Sequence, residues 1–175
     1  MEDKKENILI TKERIQARVS ELGAEISKDY NGKNLYVLSL LRGSFIYAAD
    51  LVRSINIPVK IGFMTTSSYG DNETSSGKVK IINDIPDDIE GYDVLVVDDI
   101  VDTGITMNFV INHVKSLKAG SVKSCVLLDK PERRKLDLTP DYCCFHIPDV
   151  FVVGYGLNYG DYYRNVPYVF NWEEK

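Results

Sequence analysis

A chain of 175 residues has room for one α/β domain with a full core and too little for two. With 44% hydrophobic and 27% charged residues it has an ordinary globular composition, which excludes a disordered chain and a membrane-embedded one. The net charge of −5 argues against broad attraction to nucleic acid or anionic lipid and leaves room only for a local basic pocket. Taking the chain in order, Ile8, Leu9 and Ile10 read as a short docked arm before Thr11, a residue suited to an N-cap. Ile15, Val19, Leu22 and Ile26 then recur at helical spacing, so an amphipathic helix is expected to about Asp29, ended by Asn31 and Gly32. Leu35 to Leu40 is a mostly apolar strand that feeds directly into Leu41, Arg42, Gly43 and Ser44, and a helix carrying Phe45, Ala48, Ala49, Val52 and Ile55 follows. A guanidinium, a glycine and a hydroxyl at such a turn can hold an anion at the helix N-terminus, although a strand-to-helix turn needs a glycine and a cap in any case.

Val59 to Met64 predicts another strand. The stretch from Thr65 to Lys78 is rich in Ser, Thr, Gly, Asn and Asp, and it reads as a long mobile lid, since a linker makes little sense inside one domain. Val79 to Ile82 resume the sheet, and an acidic surface turn follows from Ile85 to Gly91. The central stretch is VLVVDDIVDTGIT, Val94 to Thr106. Here four β-favouring residues run into Asp98 and Asp99, then Asp102, then Thr103, Gly104 and Thr106, before Met107, Val110, Ile111, Val114 and Leu117 mark a helix to Ala119 and Gly120. A buried parallel strand therefore ends in three carboxylates and a small-residue loop that opens a helix. Such a loop aims backbone N–H groups and the positive helix dipole at one spot, which suits a phosphate monoester. Carboxylates beside that spot suit sugar hydroxyls, a divalent cation or a proton in transfer, so the combination points to a phosphorylated sugar.

His113 on this helix reads as a surface or packing residue. Val122 to Leu128 is a further apolar strand, and it ends in Asp129, Lys130 and Pro131, which brings a cation to the same sheet edge if the strands are parallel. Glu132, Arg133, Arg134 and Lys135 read as a solvated face, with an arginine reaching a phosphate as the alternative. Tyr142 to His146 and Val150 to Tyr155 predict two short strands. The tail holds Tyr155, Tyr159, Tyr162, Tyr163, Tyr168, Phe170 and Trp172, which make either a base-stacking surface or, as the better default, a core and subunit interface. Cys125, Cys143 and Cys144 have no metal-ligand spacing, and their odd number fits reduced thiols in a cytoplasm. No apolar run reaches the roughly 18 residues of a membrane span and no cleavage pattern appears, so nothing marks the chain for export.

VVDDIVDTGIT resembles the 5-phosphoribosyl 1-pyrophosphate signature of the type I phosphoribosyltransferases. LLRGS, SSYG, LLDKP and FVVGYGLNY resemble further motifs of the bacterial hypoxanthine-guanine branch, so five motifs stand in family order over about residues 35 to 168. The resemblance implies an α/β fold with a central parallel sheet flanked by helices, a flexible loop and a small C-terminal hood at about residues 130 to 175, in a single domain spanning 1–175. It implies a purine salvage reaction: transfer of 5-phosphoribosyl from phosphoribosyl pyrophosphate to N9 of a 6-oxopurine, hypoxanthine or guanine, giving IMP or GMP and pyrophosphate. Asp98 and Asp99 would hold the ribose hydroxyls directly or through Mg²⁺, and Asp102, Thr103, Gly104, Ile105 and Thr106 would cradle the 5′-phosphate. Asp102 would also be the general base near purine N7. Leu41, Arg42, Gly43 and Ser44, a loop with a non-proline cis peptide in relatives, would bind pyrophosphate together with Arg164, and Ser67, Ser68, Tyr69 and Gly70 would close over the site. Lys130 would donate to the purine O6, Phe151 would stack on the base and the Val152 backbone would read its edge, with Arg134 a weaker candidate for a phosphate-side or structural role.

The chain departs from the family's pattern in places. Position 98 is more often Glu, which Asp98 replaces with the same acceptor chemistry. Asn158 stands where relatives usually carry an Asp that helps hold magnesium, so beside Asp98 and Asp99 it is expected to be a weak metal ligand at the purine end, with a raised Mg²⁺ requirement. Val169, Phe170, Asn171 and Trp172 replace the usual small-residue finish. The expected partners are phosphoribosyl pyrophosphate and a 6-oxopurine, with no nucleic acid and no membrane, in a cytoplasmic homodimer or homotetramer. The rivals are an RNA-binding regulator that senses phosphoribosyl pyrophosphate, disfavoured by the acidic balance, and a xanthine or pyrimidine phosphoribosyltransferase. Xanthine differs only at ring position 2, where the contacts come from backbone atoms.

Overall fold

The computed structural model describes residues 7–69 and 78–172. Along the chain run β1 (Asn7–Ile10), α1 (Lys12–Asp29), β2 (Leu35–Leu41), α2 (Phe45–Ser54), β3 (Val59–Tyr69), β4 (Lys78–Asn83), β5 (Asp93–Val101), α3 (Ile105–Ser116), β6 (Ser121–Asp129), a single 3-10 turn (Pro131–Arg133), β7 (Tyr142–His146), β8 (Val152–Val153) and β9 (Val169–Asn171). The near-continuous apolar runs of β2, β5 and β6 can be buried only if both faces of the sheet are covered, and they take its middle. The strand order is β4-β3-β2-β5-β6-β7, with every neighbour parallel except the antiparallel edge strand β4. Side chains alternate between two cores. Val37, Leu95, Val97 and Leu127 pack under α1 and α2, while Leu38, Val94, Val96 and Val126 pack with α3 residues Met107, Val110 and Val114.

The helix periodicity holds. Thr11 caps α1 by accepting the Arg14 N–H at 3.4 Å, and Ile15, Val19, Leu22 and Ile26 are all buried. Complete burial of each such side chain stabilises the fold by about 1.5–3 kcal/mol. A Cβ at Gly23 would lie 2.5 Å from Ser54, so this glycine is what lets α1 approach α2 so closely. The chain leaves β2 for β3 through α2 and returns on the other side of β2 to form β5, so the loops after β2 and β5 diverge and open a crevice at the sheet's carboxyl edge. No helix among the described residues is long and apolar enough to cross a membrane. The cysteines are free and inert: burial raises the Cys144 thiol to about 11 and the Cys143 thiol to about 12.

Three expectations change. The stretch from Thr65 to Tyr69, expected as the start of the lid, continues β3 and pairs with β4, as in Thr66 with Ile81 and Ser67 with Lys80. Its polarity had marked it as a loop, but an edge hairpin open to water on one face tolerates Ser and Thr. Of the lid residues, Ser67, Ser68 and Tyr69 are therefore strand, while Gly70 lies outside the described residues. The predicted strand from Val150 to Tyr155 shrinks to Val152 and Val153, because the backbone turns left-handed at Gly154 (φ 102°) and Tyr155 (φ 50°). The hood is also not purely C-terminal: its three strands are β1, β9 and β8, antiparallel, with Ile8 opposite Phe170. The short N-terminal arm docks there because β9 supplies the ladder that its own backbone lacks.

Candidate active site

The loop after β5 is shaped by one glycine. Gly104 caps α3 at φ 83°, a left-handed conformation that favours glycine, and a Cβ there would press within 3.1 Å of the Arg134 side chain. Thr103 Oγ1 accepts the Ile105 N–H at 3.4 Å and holds the turn so that Thr103 to Thr106 line the start of a 12-residue helix. Backbone N–H groups and the positive end of a helix dipole at such a turn suit an anion.

Asp98 and Asp99 stand just before it. The Asp99 N–H donates to Asp98 Oδ1 and the Ile100 N–H to Asp99 Oδ1, each at 2.9 Å, which fixes both carboxylates. Each residue keeps part of its surface open to the crevice, but the carboxyl groups are hemmed in by protein. Burial, and then the charge of Asp99, pushes Asp98 well above the usual carboxylate range. Burial also raises Asp99, against the opposing pull of hydrogen bonds from Asp98 and the backbone and of the Arg164 charge. The pair thus holds more acceptor capacity than countercharge, which suits sugar hydroxyls and a cation.

The loop after β2 presses on Asp99. The Leu41–Arg42 peptide is cis, as the resemblance implies. A side chain on Gly43 would collide with the Asp99 carboxylate, and one on Gly156 would collide with the Gly43 carbonyl. Arg164 Nη1 donates to the Gly156 carbonyl at 2.6 Å, and the Gly156 N–H donates back to the Arg164 carbonyl at 2.9 Å. β5, the Arg42–Gly43 loop and the hood are thereby stacked in one column. Ser44 turns inward: its hydroxyl donates to the Leu40 carbonyl at 2.5 Å and lies 2.7 Å from Ser39 Oγ. A buried hydroxyl takes the nearest partner, here the end of β2, so the side chain braces the loop.

At the far side of Asp102 lies the other half of the site. Lys130 is 6% exposed, its N–H is tied to the Val101 carbonyl at 2.9 Å, and its nearest anion is Asp149 Oδ1 at 3.8 Å. A buried ammonium so loosely paired is ready for another acceptor. Phe151 is 52% exposed, edge-on to Tyr159, and Tyr159 stacks on Trp172 with centroids 4.3 Å apart. The Trp172 N–H holds the Phe151 carbonyl at 2.8 Å, and Val152 beside it is buried. The aromatic tail packs largely on itself behind Phe151, with Tyr155 and Phe170 buried, in line with the core half of the expectation. Asn158 donates its amide to the Gly160 carbonyl and helps close the 158–160 turn.

The charge run after Lys130 is not a solvated face throughout. Arg134 turns back, donates to the Asp102 carbonyl at 2.7 Å and pairs with buried Asp129, which also meets His146 Nδ1 at 3.2 Å. Both contacts tie the Arg134 side chain to the β5 loop and the end of β6. Arg133 Nε lies 2.9 Å from Asp102 Oδ1, a contact that composition alone did not reveal. The available signal was the turn at Pro131, which folds the arginines back over the β5 loop. His113 bonds Asp84 at 2.8 Å on the surface, as expected.

A doubly covered, mostly parallel sheet whose acidic central strand runs through a glycine turn into a helix beside the switch point is the architecture of the type I phosphoribosyltransferases. Residues 6–160 match the model of the phosphoribosyl transferase domain, and the chain belongs to that family. Among its relatives are the hypoxanthine-guanine phosphoribosyltransferase of Bacillus subtilis (strain 168), 43% identical over 94% of this chain and 91% of the relative, and the hypoxanthine phosphoribosyltransferase of Haemophilus influenzae, 47% identical over 93% of each. The crystal structure of a hypoxanthine phosphoribosyltransferase from Staphylococcus aureus superimposes with a TM-score of 0.92 at 43% identity, covering 95% of this chain and 91% of that one.

Proposed function

We propose that this enzyme transfers the 5-phosphoribosyl group of phosphoribosyl pyrophosphate to N9 of a 6-oxopurine, hypoxanthine or guanine, in purine salvage. The observation that carries the base assignment is Lys130, a buried and loosely paired ammonium beside the exposed Phe151 ring, on the same sheet edge as the phosphate loop. It would donate to O6 while Phe151 covers the ring and the Val152 backbone meets its edge. The 5′-phosphate sits at the start of α3, the ribose hydroxyls face Asp98 and Asp99, and pyrophosphate lies on Arg42, the Gly43 backbone and Arg164. As the bond from C1 to pyrophosphate breaks, positive charge grows on the sugar and negative charge on the leaving group, which the two guanidiniums stabilise. Purine N9 attacks C1, and the proton leaving N7 passes to Asp102.

Asp98 and Asp99 fit Mg²⁺, because that ion commonly takes one or two carboxylates and completes its shell with substrate oxygens and water. No three acidic, imidazole or thiol groups converge among the described residues, so ribose and pyrophosphate oxygens would supply the rest. When bound, the ion neutralises charge on the departing pyrophosphate. Asn158 adds no charge there, in keeping with a raised magnesium requirement.

Sheet and hood work as one domain, since the site draws on both. Free thiols suit a cytoplasmic enzyme. The chain is read as a homo-oligomer, and the surface that supports this is not the tail. Ile61 and Phe63, 39% and 47% exposed, point outward from β3 on the face that α1 and α2 cover elsewhere, and Phe45 at the start of α2 is 42% exposed. Phe63→Glu is expected to convert the oligomer to a smaller species in sedimentation velocity, and an unchanged sedimentation coefficient would move the interface elsewhere.

The decisive assay is pyrophosphate release with phosphoribosyl pyrophosphate, Mg²⁺ and each of hypoxanthine, guanine, xanthine, adenine and uracil. Turnover with hypoxanthine or guanine and not with adenine or uracil is expected. Turnover only with xanthine or uracil would reassign the base, and no turnover with any base would favour the regulator.

A further inference from the structure

Two consecutive arginines grip Asp102, one at its carbonyl and one at its carboxylate. The segment that carries them is fixed by backbone hydrogen bonds: Arg133 N–H to the Lys130 carbonyl at 3.2 Å, Arg134 N–H to the Pro131 carbonyl at 3.2 Å and Lys135 N–H to the Thr103 carbonyl at 3.0 Å. Arg134 lies inward, against the loop's backbone. Arg133 lies outward, with Nε 2.9 Å from Asp102 Oδ1 in an ion pair whose N–H is not aligned for a hydrogen bond. Its Nη1 reaches Asp149 Oδ1 at 3.4 Å, the same oxygen that lies 3.8 Å from Lys130 Nζ. A chain of charges, Asp102 to Arg133 to Asp149 to Lys130, therefore joins the proposed proton acceptor to the proposed O6 donor.

Neither end of the Arg133–Asp102 pair is deeply buried, at 48% and 38% exposure, so its contribution to folding is small. Its geometry bears on orientation instead. Oδ1 is sealed from solvent although the side chain is 38% exposed, so the open edge belongs to the other oxygen. A carboxylate at a loop position is otherwise free to rotate and present either oxygen. Arg133 removes that freedom, and Asp149 holds Arg133 in place.

We propose that Arg133 is a positioning residue that acts through Asp102, turning one carboxylate oxygen toward the purine and linking it through Asp149 to Lys130. The inference rests on reading Asp102 as the proton acceptor. Misorientation of a catalytic group by about 1 Å can cost up to two orders of magnitude in rate. Arg133→Gln is accordingly expected to lower kcat by about tenfold while the KM for phosphoribosyl pyrophosphate stays within about twofold. Arg133→Lys, which keeps a cation near Oδ1, retains more of kcat than Arg133→Gln. In an Asp102→Asn background Arg133→Gln costs less than about twofold, because its effect passes through a carboxylate already removed. Equal losses in both backgrounds, equal losses for Gln and Lys, or no loss at all would overturn the proposal. An Asp102→Asn enzyme with unaltered kcat would overturn the reading beneath it, an outcome visible before the second substitution is made.

Discussion

Asp102→Asn lowers kcat by about 10²- to 10⁴-fold while phosphoribosyl pyrophosphate still binds. The substitution is close to isosteric. The backbone carbonyl still accepts from Arg134 Nη1, the loop keeps its left-handed Gly104, and the start of α3 still faces the 5′-phosphate. What disappears is the capacity to take up a proton. As N9 bonds to C1 the purine becomes cationic unless N7 loses its proton, and an amide cannot accept it. The loss belongs to the chemical step, so it lowers kcat and kcat/KM together. Calorimetric titration with phosphoribosyl pyrophosphate and Mg²⁺, set beside steady-state rates, separates the two effects. A full-rate Asp102→Asn enzyme would assign the proton to water or another group, and lost ligand binding would make Asp102 part of the phosphate cradle alone.

What the amino-acid sequence revealed depended on how local the cause was. The runs Val94 to Val97 and Leu35 to Leu40 announce buried strands because both faces of a parallel sheet exclude water. Asp98, Asp99, Asp102, Gly104 and Lys130 were legible because they sit at strand ends, where a parallel sheet must present its loops. The hood was harder. β1 and β9 have four and three residues, too few for a period, and they pair with each other across more than 150 positions of chain. Polarity misled in two directions: the Ser and Thr of β3 are strand, and Arg134 of an apparently solvated run is half-buried, paired with buried Asp129. Ser44 shows the limit at single-atom scale, because a hydroxyl at a helix start serves an anion or its own backbone according to a rotamer that the residue type does not determine.

Gly43→Ala tests the column that joins the ribose and pyrophosphate sites. Gly43 does not occupy the left-handed region, so alanine brings no conformational penalty of its own. The penalty is steric: the new Cβ would fall on the Asp99 carboxylate, and the Gly43 carbonyl is already closed in by Gly156 on the hood side. The loop cannot retreat without lifting the hood turn, whose Gly156 is held by Arg164. Asp99 must then swing off its anchor on the Ile100 N–H, which removes a carboxylate from the ribose site and shifts the pyrophosphate loop at the same time. A displacement of about 1 Å in groups that position a substrate costs on the order of 100-fold, so kcat/KM for phosphoribosyl pyrophosphate should fall by about that factor. The KM for the purine should change little, because Lys130 and Phe151 lie across Asp102 from the disturbance. Melting should also change little, because the clash lies at the open edge of the sheet and leaves both cores intact. If Gly43→Ala binds phosphoribosyl pyrophosphate as the parent does, the contact between this loop and Asp99 plays no part in recognising the sugar.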